Sequence, residues 1–172
     1  LKTNCRIVLP RRFTAPLALP TWTDTAIFAY HSCVSHRFRG DFLGSVRDTL
    51  NNLARDYAIA WSSGDAEAVA SFFAPDGQII INRGDPLTGR AAIAGMVRGF
   101  YTEFPDLEVR CDMMRWAGTH AIFVWTLEGH HAETGNQVVT RGWEEWELTS
   151  DNKIQSLLGW FDDEDHQRQI SG

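Results

Sequence analysis

Between residues 57 and 101 the chain reads YAIAWSSGDAEAVASFFAPDGQIIINRGDPLTGRAAIAGMVRGFY, and this stretch narrows the possible folds more than any other. Upstream of it, apolar residues recur at Val46, Leu50, Leu53, Tyr57, Ala60 and Trp61, the three-to-four spacing of one helix face. That spacing turns Tyr57 toward the core. Gly64 ends this helix and Asp65 can cap a short second one that buries Val69, Phe72 and Phe73. Pro75-Asp76-Gly77 then predicts a turn, and Ile79-Ile80-Ile81 a β-branched strand. After a polar loop over 82–87, Thr88 is placed to cap a third helix whose face is Ile93, Met96, Val97 and Phe100, and Pro105 stops it.

From there the period changes from helical to two. Strands are expected near 107–116, 119–128, 137–148 and 153–162, separated by Ala117-Gly118, Glu133-Thr134-Gly135-Asn136 and Ser150-Asp151-Asn152. A short helix over 163–170 closes the chain. Helices followed by an antiparallel meander define an α+β protein. Along the second of these strands Phe123, Trp125, Leu127 and His131 share a face if no bulge intervenes. Along the third, Glu144, Trp146 and Leu148 oppose Trp143, Glu145 and Glu147, and a register slip of one residue would exchange Glu144 for Glu145.

The first 40 residues hold Lys2, Arg6, Arg11, Arg12, Arg37 and Arg39 against Asp24 alone, a formal +5, while the remaining 132 carry −11. An acidic body of that kind repels phosphate backbones and offers no footprint for nucleic acid. No run of about 18 apolar residues marks a membrane span. Cys5, Cys33 and Cys111 are odd in number and widely spaced, which suits free thiols in a reducing compartment such as the cytoplasm better than disulfides or zinc. Residues 1–41 read as an N-terminal extension, with organellar targeting or an upstream segment as alternatives, and residues 42–172 as one domain.

The helix ending at Ser63-Gly64-Asp65, the Phe72-Phe73-Ala74-Pro75-Asp76-Gly77 junction and the Trp160-Phe161-Asp162 ending resemble the nuclear transport factor 2-like superfamily, in particular SnoaL-like polyketide cyclases and ketosteroid isomerases. The resemblance spans roughly residues 45–170. It implies a cone, in which a curved mixed or antiparallel sheet wraps around three N-terminal helices and encloses a pocket. It further implies a small hydrophobic or aromatic ligand, cofactor-free acid/base chemistry, no metal, and a homodimer paired through the sheet. A non-catalytic ligand-binding or dimeric interaction module of the same fold is the alternative, because this scaffold hosts many functions.

Carried over position by position, the resemblance nominates Tyr57 as an oxyanion donor and Glu144 as the acid beside it, since a carboxyl in an apolar pocket holds its proton. His131, next to His130, falls where SnoaL-like cyclases place a pocket histidine, and Asp162 is either an acid/base at the pocket mouth or the N-cap of the last helix. His130, His131 and Glu133 lack the geometry of a metal site. Trp61, Phe73, Phe100, Trp125, Trp146 and Trp160 are candidates to line the cavity, with Trp143 on the outer face as a dimer contact. Two departures weigh against specific activities. The isomerase base position is occupied by Ile81, and the last-strand Asp of epoxide hydrolases by Gly159, with Arg110-x-Asp112 on an earlier strand.

Overall fold

A computed structural model describes residues 32–172, with side chains described from Arg47 onward. Contacts divide the chain after Arg39, and the unit Gly40–Gly172 carries all of the described strands. The extension expected over 1–41 lies outside the described residues except for helical backbone from Ser32, as do Cys5 and the side chain of Cys33.

Helix α1 spans Ser32–Trp61 and so begins fourteen residues before Val46, where the apolar spacing starts. Residues 33–41 contain no proline, and Gly40 is their one weak point for a helix. Leu50, Ala54, Tyr57 and Trp61 form its buried stripe. Gly64, at φ 74°, turns the chain out of α1, and the Asp65 carboxylate accepts from the amides of Glu67 and Ala68 at 3.0 Å each to cap α2 (Ala66–Ala70).

Strand β1 runs Phe73–Ile81, straight through the expected Pro75-Asp76-Gly77 turn. Phe73 pairs with Ile154 and Gln78 with Ser156, so the four residues between them bulge against the single residue Gln155 of the neighbouring strand. A bulge tolerates the missing proline N–H. A two-residue strand β2 (Leu87–Thr88) pairs with β1, and Thr88 accepts a hydrogen bond from Gln78 at 3.2 Å in place of capping a helix. Gly89, at φ 85°, is the residue that enters α3 (Arg90–Glu103), which buries Ile93, Ala94 and Val97.

The meander follows as β3 (Glu108–Ala117), β4 (His120–His130), β5 (Gln137–Leu148) and β6 (Ile154–Phe161), then α4 (Asp163–Ser171). The sheet order is β2-β1-β6-β5-β4-β3, with β1 and β6 parallel and every other pair antiparallel. This is an α+β fold with an open six-stranded mixed sheet. Tyr57 anchors α1 to the sheet by edge contacts with Phe123 and Trp146, ring centroids 5.5 and 5.1 Å apart. The Tyr101 hydroxyl donates to the Trp61 carbonyl at 2.8 Å and holds α3 against the end of α1, its burial pushing the phenol up to about 12.

Period two gives the sheet an inner and an outer face. Outside, Met113, Val124, Trp143 and Trp160 lie in one cross-strand row, and Ile122, Glu145 and Leu158 in the next. Met113, Ile122, Trp143 and Leu158 are exposed, Trp143 by 45%. Trp143 stacks on Trp160, and Arg83 lies over the Trp160 ring at 5.6 Å.

Candidate active site

Between the inner face and the helices lies a cavity with about 590 Å³ of unoccupied space, its open mouth included. Trp61 comes from α1, Phe100 from α3, Ile79 and Ile81 from β1, and Val109 from β3. β4 contributes Phe123, Trp125 and Leu127, and β6 contributes Gly159 and Phe161. Polarity comes from Thr140 and Glu144 on β5, from His166 on α4, and from the Trp125 indole N–H, which is buried without a hydrogen-bond partner.

Glu144 points inward because it opposes Phe123 on β4 and Gly159 on β6, both inner-face positions. It is 7% exposed, and its Oε2 accepts from the Trp146 indole N–H at 2.7 Å. Burial pushes its carboxyl up to about 8, against the opposing pull of its interactions with Trp146 and Tyr57. At neutral pH it is therefore mostly protonated and can donate. Tyr57 is fully buried behind it, and burial together with the Glu144 charge holds the phenol well above its ordinary range. The two groups act on each other electrostatically, yet the Tyr57 hydroxyl has no hydrogen-bond partner of good geometry and does not reach the cavity surface.

His166 is a cavity residue that the sequence pattern did not nominate. It is 5% exposed, and its Nδ1 shares a 2.7 Å hydrogen bond with Thr140 Oγ1. Its ring sits in edge or tilted contact with Phe104 and Phe161, at 5.6 and 5.4 Å. Burial lowers the imidazole below its usual value, partly offset by Asp163, Glu103 and Asp165, so it is neutral. A signal was present in α4: His166 and Ile170 are one helical turn apart on an otherwise polar segment, which marks them as its inward face.

The other nominated residues divide. Trp61, Phe100 and Trp125 line the cavity. Phe73 and Trp146 are packed solid in the core, and Trp160 stands on the opposite face of the sheet, one residue out of phase with Gly159. His131 follows the end of β4 in the turn toward β5, its Nδ1 3.1 Å from Thr134 Oγ1, outside the cavity wall. Asp162 is exposed and caps α4 by accepting from the Asp165 amide at 2.9 Å. The period-two argument reached past the strand end for His131; β4 stops at His130, whose Nδ1 meets Asp106 at 2.6 Å.

Ile81 and Gly159, the positions without the acids of related enzymes, both form cavity wall. Arg110 and Asp112 are paired at 2.9 Å outside the cavity, with Asp112 accepting from Thr126 at 2.6 Å at a bulge in β3. Among the described residues no cluster of three or more His, Cys, Asp or Glu is placed to hold a metal ion, and no helix is long and apolar enough to cross a membrane. Cys111 is a free thiol.

The SnoaL-like domain family matches residues 54–157, more than half of the chain, and the protein belongs to that family. No curated protein sequence matches it. Among solved structures it is similar to a protein of ketosteroid isomerase-like fold from Catenulispora acidiphila, crystallised with trimethylamine, at 19% identity and TM-score 0.65, over 69% of this chain and 92% of that one. It is also similar to a candidate polyketide cyclase from Xanthomonas campestris pv. campestris (21% identity, TM-score 0.65, 72% and 98% covered). A third is SalBIII, an epoxide hydrolase/cyclase-like enzyme of pyran ring formation in the polyether salinomycin (17%, 0.62, 69% and 95%). At these identities the likeness shows the nuclear transport factor 2-like, ketosteroid isomerase-like fold.

Proposed function

We propose that the protein binds a small hydrophobic or aromatic molecule in this cavity and catalyses a cofactor-free proton transfer such as a cyclisation, isomerisation or dehydration. The observation that carries this reading is Glu144, a buried carboxyl hydrogen-bonded by Trp146 at the wall of a largely apolar cavity. A protonated acid there donates to a ligand carbonyl oxygen on which negative charge develops, where low dielectric makes the hydrogen bond strong. Neutral His166, at the other end of the cavity, is the group that can accept a proton from the ligand there and give it back. Tyr57, behind Glu144, is a positioning residue in this scheme.

The cavity-ligand reading is tested by soaking the protein with small aromatic ketones and polyketide-like compounds and determining the structures. Ligand density within hydrogen-bonding reach of Glu144 or His166 supports it, and density confined to apolar wall favours the second reading. That second reading, a non-catalytic binding module, draws on Ile81 and Gly159, which supply no carboxylate base. Pairing of two copies through the outer face is part of either reading, because Met113, Ile122, Trp143 and Leu158 leave apolar surface exposed there. A cytoplasmic place accords with the free thiol of Cys111.

A further inference from the structure

The polar groups of the cavity are arranged at two ends of one strand. Thr140, Gly142 and Glu144 succeed one another on the inner face of β5, and Thr140 and Glu144 are separated by about 13 Å of strand. Opposite them on β4 stand Leu127, Trp125 and Phe123 in the same order. The middle position is bare on β5 so that the Trp125 indole can lie across it: a Cβ on Gly142 would come within 2.5 Å of Trp125 Cζ2. The stretch between the two ends is thus an aromatic slab whose one polar atom is the unpartnered Trp125 indole N–H, faced by Trp61 and Phe100, which meet edge to face at 5.8 Å.

The ends differ in what they offer. At one, the Glu144 carboxyl accepts the Trp146 N–H on Oε2 and forms part of the cavity wall, an acid that can donate its proton to a ligand acceptor. At the other, His166 Nδ1 is occupied by Thr140, which leaves Nε2. The threonine hydroxyl can donate or accept, so Nε2 is an acceptor in one tautomer and a donor in the other. A ligand hydroxyl satisfies both forms, whereas a carbonyl satisfies only one.

Resting on the cavity reading above, we infer that the ligand is two-ended: a flat apolar body carrying a carbonyl at the Glu144 end and a hydroxyl at the His166–Thr140 end. The two ends lie four residues apart along β5, which calls for an elongated rather than a compact body, such as two fused six-membered rings. A site that holds a polar group ready at each end discriminates against ligands lacking either partner, since the unmatched group is then buried alone.

The test is calorimetric titration of the full chain with 6-acetyl-2-naphthol, 2-acetylnaphthalene and 2-naphthol. The two-ended probe is expected to bind about ten-fold tighter than either single-ended one. In His166→Phe the advantage of 6-acetyl-2-naphthol over 2-acetylnaphthalene is expected to vanish, because 2-acetylnaphthalene no longer leaves His166 unmatched. Equal affinity of 6-acetyl-2-naphthol and 2-acetylnaphthalene for the unmodified protein overturns the two-ended ligand and leaves the cavity reading standing. Binding of none of the three probes contradicts both. The comparison on the unmodified protein decides the matter even if the variant fails to fold.

Discussion

Glu144 and Glu145 are neighbours on one strand with the same side chain and opposite surroundings. Glu144 faces Phe123, Trp146 and the cavity, and its carboxyl is pushed up to about 8. Glu145 faces solvent between Ile122 and Leu158, with the Trp143 indole N–H 3.4 Å from its carboxylate. Chemical identity therefore says little about role in this protein. The side of the pleat decides whether a carboxyl is a solvated charge or a candidate acid, and that side is fixed by register.

The contrast is broken most strongly by removing the buried acid. The folded-state pKa of Glu144 lies above its ordinary value of 4.5, so the folded state holds the proton more tightly. Its contribution to stability is fully present below pH 4.5 and is lost as pH rises through about 8. In Glu144→Gln that loss is absent, and the stability gap between the two proteins is expected to widen in the variant's favour by on the order of 4 kcal/mol between pH 4.5 and 9. Denaturant unfolding across that range measures it. His166 acts with the opposite sign at the acid end: its folded pKa is depressed, so the protein loses stability as pH falls below the ordinary histidine range.

Next in size is Gly142→Ala. The new methyl would run into the Trp160 carbonyl oxygen and Trp125, and backbone cannot yield as a flexible side chain does. A loss of about 1–3 kcal/mol is expected in chemical denaturation, with displacement of the Trp125 indole seen as a change in near-ultraviolet circular dichroism. Asp162→Ala removes the α4 cap and is expected to cost about 1 kcal/mol while leaving cavity binding of 2-acetylnaphthalene unchanged. Glu145→Gln sharpens the comparison by doing least: a change within about 0.5 kcal/mol in denaturant unfolding.

Much of this arrangement was legible from the residues. Strands β3 to β6, the Asp65 cap and the inward set Phe123, Trp125 and Leu127 follow from period-two patterning and turn chemistry. The bulges at 73–78 and 111–113 were not, because they are set by pairing with strands distant in sequence. The parallel pairing of β1 with β6 has the same origin. Tryptophan is apolar enough for core, cavity or outer face alike, so its type did not separate Trp125 from Trp146 or Trp160. His166 was hidden because a histidine in an acidic terminal helix reads as surface until α4 is seen docked on β5, with Gln169 bonded to the Val139 backbone at 2.7 and 3.1 Å.

The central claim, that Glu144 is a proton-bearing acid at the cavity wall, is tested most directly by carboxyl-carbon NMR of protein labelled with δ-¹³C glutamate, titrated alongside Glu144→Gln to assign the resonance. The account predicts one glutamate signal, missing in the variant, that keeps the chemical shift of a protonated acid through neutral pH and titrates near pH 8. A Glu144 signal that titrates in the ordinary carboxylate range would contradict it.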